Sequence, residues 1–91
     1  MDRDEELKDW DGLADDAVVE LRKVDLDTLY TSIVQVSLAV LAGDAELRSL
    51  AQGDDERAEE NWKRKVRALN DSRNALRGLL KRIADRLVAG A

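Results

Sequence analysis

The sequence predicts an all-α fold, a small helical bundle, on two main observations. Pro is absent from all 91 residues, and apolar residues recur at steps of three and four along most of the chain, the spacing of one helix face. A chain of this length has room for one modest core, so residues 1–91 are predicted to form a single domain. Aromatic residues make up only 3% of the chain, so Leu, Val, Ile and Ala supply most of the core.

The first predicted helix covers residues 4–24 and is amphipathic. Its apolar positions share one face of a helix; they are Leu7, Trp10, Ala14, Val18 and Leu21. Gly12 lies inside this pattern and would destabilise the helix by about 1 kcal/mol relative to Ala, which leaves a kink or a break open at that point, although the apolar positions keep their phase through it.

The second predicted helix covers residues 27–42, with Asp25 or Asp27 as its N-cap. Residues 28–43 carry no charge, and apolar side chains occupy most of the circumference, so we expect this helix to be the most buried one. Frequent β-branched residues leave a strand open as an alternative. A membrane crossing needs about 20 predominantly apolar residues, and Thr, Ser and Gln interrupt this shorter run, so no membrane insertion is expected.

Gly43 and Asp44 resemble a helix stop followed by a new cap, which predicts a short helix at 45–52. Gly53 would end that helix, and Asp54 or Asp55 would cap the next one. The chain is therefore expected to contain three main helices plus this short one.

The last predicted helix, residues 55–88, carries an apolar seam with heptad-like spacing and one charged member. The seam consists of Trp62, Val66, Leu69, Arg73, Leu76, Leu80, Ile83 and Leu87. The polar residues Asn70–Ser72 could instead start a separate helix, but Leu69 and Leu76 are one heptad apart, which favours a continuous helix. Such a helix is about 50 Å long at a rise of 1.5 Å per residue.

Charge is distributed unevenly along this acidic chain, whose formal net charge is -5. The first 61 residues contain 18 acidic and 6 basic side chains, and the last 30 contain 2 acidic and 9 basic ones. Three explanations are open: the acidic first helix neutralises the last one, the basic face of residues 63–86 binds nucleic acid, or this face binds an acidic protein. The candidate contact residues are Lys63, Arg64, Lys65, Arg67, Arg77, Lys81 and Arg82.

The length of the last helix predicts an intermolecular contact, because the shorter helices would leave the far end of its seam uncovered. Exposed apolar patches of that size are rare on monomers, so we expect a homodimer or another protein partner. The predicted partner-binding residues are Arg73, Leu76, Leu79, Leu80, Ile83 and Leu87.

Catalytic chemistry is not expected. The chain has no Cys and no His, so thiol nucleophiles, zinc thiolates and imidazole bases are excluded. Glu56 and Glu59 would supply only half of an all-helical magnesium site, and no cofactor site is predicted. The acidic first ten residues do not resemble a secretory signal, which suggests a cytoplasmic protein. The sequence thus favours a non-catalytic interaction or assembly module, with a nucleic-acid-binding accessory protein as the alternative.

Overall fold

The computed structural model describes residues 7–90, and within them the fold is all-α. The helices are α1 at Lys8–Asp11, α2 at Lys23–Ala51 and α3 at Asp55–Gly90. The two long helices pack against each other as an antiparallel hairpin, and α1 packs against α3. The predicted all-α fold is confirmed.

The hairpin turn follows the predicted stop-and-cap pattern. Gly53 has a φ of 73°, and its N–H donates to the Leu50 carbonyl at 3.1 Å. The Asp54 N–H donates to the Ser49 carbonyl at 2.9 Å, which completes a Schellman ending of α2. The Asp54 side chain then accepts a hydrogen bond from the Arg57 N–H at 3.1 Å, so Asp54 is the N-cap of α3.

The last predicted helix is confirmed as one continuous element, α3, which passes through Asn70–Ser72 without a break. Ser72 is only 3% exposed, so this residue packs inside the hairpin and does not cap a new helix. The long seam therefore keeps its helical phase from one end of α3 to the other.

The predicted break at Gly43 is wrong: the expected helices 27–42 and 45–52 form one helix, α2. The physical reason lies in the contact with α3. A Cβ atom at Gly43 would lie 3.3 Å from Cδ of Lys65, tighter than an ordinary van der Waals contact. Glycine at this position permits a close approach of the Lys65 stem.

The predicted N-cap of α2 is also wrong, because the helix begins at Lys23 and Asp25 lies inside its first turn. The Asp25 carboxylate accepts a hydrogen bond from the Arg22 N–H at 2.9 Å. This carboxylate therefore accepts a hydrogen bond from the backbone of the N-cap residue, Arg22, as the third residue of a capping box does, and Asp25 itself is not the N-cap.

The first predicted helix, 4–24, is wrong over the described residues. Only Lys8–Asp11 is helical, and residues 13–22 contain no helix. The helix stops where Gly12 donates its N–H to the Lys8 carbonyl at 3.0 Å, and no side chain caps its start. Five apolar positions at helical spacing do not outweigh the weak local propensity around Gly12. Residues 4–6 of that prediction lie outside the described residues.

Candidate interaction surface

The contact between α2 and α3 is built mainly from small and polar side chains. On α2 the buried residues are Asp25, Ser32, Ala39 and Ser49. On α3 they are Ala58, Asn61, Ala68, Ser72, Leu79, Ile83 and Ala84. Small side chains allow the two helix backbones to approach closely, but they remove little apolar surface from water. The expectation that α2 is the most buried helix is therefore wrong, because the apolar residues of α2 lie on its other sides.

Ion pairs join the helices toward each end of the hairpin. Near the start of α2, Nη2 of Arg86 lies 2.6 Å from Oδ2 of Asp25. Near the turn, Nζ of Lys65 lies 2.7 Å from Oε1 of Glu46, and both side chains are less than a third exposed. These pairs fix the register of the two helices against each other, a role for which partly buried charges are suited.

Asp25 is the most enclosed charged group of the described chain, with a side chain that is 0% exposed. Its hydrogen bond from the Arg22 backbone and its hydrogen bond from Arg86 lower the pKa of this carboxyl, and desolvation opposes them only in part. Its Oδ1 atom accepts no hydrogen bond within the described residues and lies 4.0 Å from Nη2 of Arg82. The same Arg82 nitrogen donates to Oγ1 of Thr28 at 3.3 Å.

Replacing Asp25 by Asn is expected to remove part of the acid sensitivity of the fold. The folded-state pKa of Asp25 lies below its unfolded value, so its stabilisation is complete above that unfolded value, about 3.9, and is lost as the pH falls below it. We expect the free energy of unfolding in urea to fall less between pH 7 and pH 3 for Asp25→Asn than for the wild type. Asp27→Asn, at an exposed position on the same turn, is the matched control. Its free energy of unfolding should fall between pH 7 and pH 3 by as much as that of the wild type. Equal pH dependence in all three proteins would contradict this role of Asp25.

The apolar residues of α2 form a seam that no other described residue covers. Seven of them follow steps of three and four: Leu26, Leu29, Ile33, Val36, Val40, Leu47 and Leu50. Their exposed fractions range from 39% to 66%. We call these seven residues the α2 seam. Gly43 occupies the one position of the spacing that lacks a side chain. A heptad pattern of exposed aliphatic residues is typical of a helix that packs against another helix.

A second apolar strip on α2 borders a groove between the two helices. Tyr30, Val34, Leu38 and Leu41 are each at least 38% exposed. The groove is lined on the α2 side by Leu38 and Leu41 and on the α3 side by charged residues that include Arg64, Arg67 and Asp71. One wall of this groove is therefore apolar and the other is charged.

The predicted partner-binding residues of α3 occupy three different environments. Leu79 and Ile83 are buried inside the chain, Leu76, Leu80 and Leu87 are half-buried, and Arg73 is exposed. One surface pocket is lined by Leu7 together with Leu76 and Leu80 of α3. A second is lined by Val18 and Arg22 together with Ile83 and Leu87 of α3. The N-terminal segment thus lies beside the half of α3 that was expected to be bare. Binding of a partner by these six residues stays a prediction.

The first half of the α3 seam points away from α2. Trp62 is 48% exposed and Leu69 is 42% exposed, whereas Asn61 and Ala68, each one residue earlier, are buried. Over this half of the helix, the apolar seam of α3 therefore does not form the contact with α2. The close contact with α2 requires smaller side chains than Trp and Leu, so α3 is rotated by about one residue from the orientation that its apolar seam suggests.

The candidate basic residues are also divided. Lys63 pairs with Glu59 at 3.4 Å within α3, Lys65 pairs with Glu46, and Arg82 contacts Asp25 and Thr28. Arg64, Arg67 and Lys81 are exposed, and Arg77 is half-buried. Carboxylates of α2 and α3 therefore take part in neutralising the basic residues of α3. Of the acidic first helix predicted from the sequence, residues 4–6 lie outside the described part of the chain.

The described residues build no metal site. Among residues 7–90, no three carboxylates converge in a way that could hold a metal ion. By length and composition alone, α2 is the one described helix that could cross a membrane. Comparisons with protein-family models, with curated proteins and with solved structures give no significant match. The geometry of the hairpin is therefore the main guide to function.

Proposed function

We propose that this protein is a non-catalytic interaction module that binds another protein chain through its exposed helical surface. The observation that carries the proposal is the α2 seam, whose aliphatic side chains are exposed along almost the whole helix. Contiguous apolar patches beyond a few hundred Å² on a folded domain usually mark a binding site. An adaptor, an inhibitor or a subunit of a larger assembly would use such a surface.

Binding to nucleic acid is the second candidate, and the charge layout gives it less support. At least three of the seven candidate basic residues already contact carboxylates or hydroxyls of this chain, and exposed Arg64 and Arg67 border a groove that also contains Asp71. A phosphate backbone requires a basic face without nearby carboxylates, because affinity comes mainly from the release of counterions.

Insertion of α2 into a membrane has still less support from the hairpin. The α3 helix lies along α2 and is held to it by Asp25–Arg86 at one end and Glu46–Lys65 at the other. Insertion of the intact hairpin would carry many charged side chains of α3 into hydrocarbon, which costs several kcal/mol for each unpaired charge.

Two binding experiments separate the protein and nucleic-acid candidates. In the first, a tagged chain is coexpressed with an untagged copy in its native source and captured on an affinity resin. A second protein, either the untagged copy or a different chain, should be captured with it. Fluorescent short DNA and RNA should bind more weakly than micromolar at moderate salt, and Arg64→Gln with Arg67→Gln should change nothing. Micromolar nucleic-acid binding that falls steeply with salt and is lost in the double variant, together with no retained protein, would contradict the proposal.

A further inference from the structure

We infer that the partner of the α2 seam is a second copy of this chain, bound through one face of the hairpin in an antiparallel arrangement of the two α2 helices. This inference rests on the proposed function and makes it specific. It depends on three features of the hairpin: the continuity of the apolar face across both helices, its area, and the distribution of charge along its edge.

The apolar face extends across both helices because several buried residues of the hairpin contact, on α2 and on the first half of α3, are followed by an exposed apolar one. On α2 the pairs are Asp25–Leu26, Ser32–Ile33 and Ala39–Val40; on α3 they are Asn61–Trp62 and Ala68–Leu69. The next residue in a helix is rotated by about 100° in a fixed sense. In two antiparallel helices this rotation leads to the same side of the pair. Trp62 and Leu69 therefore extend the α2 seam into a two-helix face, which we call the seam face.

The area of this face suits a dimer. If a fully exposed aliphatic side chain offers about 100 Å², the α2 seam together with Trp62 and Leu69 presents roughly 500 Å² of apolar surface. A standard interface buries about 800 Å² per partner, of which a little more than half is apolar. Pairing of two seam faces would produce a four-helix bundle in which the exposed aliphatic side chains form the central layer.

Charge favours a second copy on this face. A two-fold contact brings each surface against itself, so a charged cluster at its centre would meet the same charge. Residues 28–43 of α2 carry no charge, so the α2 part of the seam face has a neutral centre. The groove on the other side of α2 would instead bring Arg64 and Arg67 of each copy toward the same residues of its partner.

The edge of the seam face indicates the direction of pairing. Lys23, Tyr30, Ser37 and Asp44 are spaced by seven residues and flank the α2 seam on one side. Lys23 and Asp44 lie at the two ends of this line, with side chains 90% and 61% exposed. Each forms an exposed ion pair within α2, Lys23 with Asp27 at 3.0 Å and Asp44 with Arg48 at 2.7 Å, which a partner charge can exchange or extend. Antiparallel α2 helices bring Lys23 of each copy toward Asp44 of the other, whereas parallel helices would place like charges together.

Paired substitutions on α2 test this inference. Ile33→Asp with Val40→Asp places two charges in the seam, and Val34→Asp with Leu41→Asp places two charges at the same spacing on the other side of α2. All four positions are at least 38% exposed, so both variants should remain helical by circular dichroism. Light scattering should give the mass of two chains for the wild type and for the control double variant, Val34→Asp with Leu41→Asp. It should give the mass of one chain for the seam double variant, Ile33→Asp with Val40→Asp. Val36→Glu, near the middle of the seam, is a milder second variant and should raise the dissociation constant at least tenfold.

Three results would overturn the inference. A wild-type dimer that dissociates in Val34→Asp with Leu41→Asp, and persists in Ile33→Asp with Val40→Asp, would place the contact on the other side of α2. A wild-type monomer at tens of micromolar would exclude a second copy, and retention of a different protein in the coexpression experiment would then still support the proposed function. A wild-type monomer that sediments with lipid vesicles would identify a membrane as the occupant and contradict both proposals.

Discussion

Replacing Ser32 by Leu is expected to destabilise the hairpin by about 1–3 kcal/mol, the usual cost of forcing a larger side chain into a packed contact. Ser32 is 1% exposed and lies in the close contact between α2 and α3. Its hydroxyl donates to the Thr28 carbonyl at 3.0 Å, so Ser satisfies its own polar group without a partner from α3. Leu would push the helices apart or adopt a strained rotamer.

Ser37 provides a matched control on the same helix. Its hydroxyl donates to the Ile33 carbonyl at 3.1 Å in the same local geometry, but its side chain is exposed. Ser37→Leu should change the free energy of unfolding by no more than about 0.5 kcal/mol, because Leu has the better helix propensity and enters no contact within the hairpin. Urea unfolding followed by circular dichroism gives both values.

The difference between these two substitutions tests the orientation of α2. If the apolar side of α2 faced α3, Ser32→Leu would add apolar area to an exposed or half-buried position and would be nearly neutral. Equal effects of Ser32→Leu and Ser37→Leu would therefore contradict the small-residue contact on which the seam face depends.

The parts of the fold that follow from local interactions could be predicted from the sequence. Gly53 and Asp54 supply a helix ending and an N-cap through their own backbone and side-chain groups, so the turn is determined within a few residues. The unbroken spacing of α3 likewise predicts one long helix. The residues around Gly12 show the limit of periodicity, since apolar spacing without caps did not make residues 13–22 helical.

The orientation of the helices could not be predicted by placing the most apolar face inside. That rule holds when one chain buries its own apolar surface, but two helices alone cannot enclose an apolar face as wide as that of α2. The signal was present in the sequence as a line of small or polar residues, Asp25, Ser32 and Ala39, each followed by a large apolar one. Gly43 serves the contact with Lys65 and not a helix end, so the break predicted there does not occur.

The candidate surface could be predicted only in part for the same reason. The sequence indicated an intermolecular apolar seam, and it placed that seam on the C-terminal half of α3. The N-terminal segment lies beside that half, with Leu7 and Val18 next to it, while the long α2 seam is exposed. The fold of residues 7–22 depends on contacts distant in sequence, which helical spacing does not encode.

The distance between the two copies of Leu47 tests the central claim most directly. The natural chain contains no Cys, so the cysteine of Leu47→Cys is the only thiol and the only position that a thiol-reactive spin label modifies. If the two-fold axis lies midway between Lys23 and Asp44, the two labelled positions are about 27 residues of helix apart, or about 40 Å at 1.5 Å per residue.

Pulsed electron paramagnetic resonance on the singly labelled protein should therefore give one intermolecular distance near 40 Å. The same label in the Ile33→Asp with Val40→Asp background should give no dipolar signal. A distance below about 20 Å would mean that the α2 helices are parallel, because packed helices lie about 8–10 Å apart. Absence of any intermolecular distance in the wild-type background at tens of micromolar would contradict the pairing of two copies through the seam face.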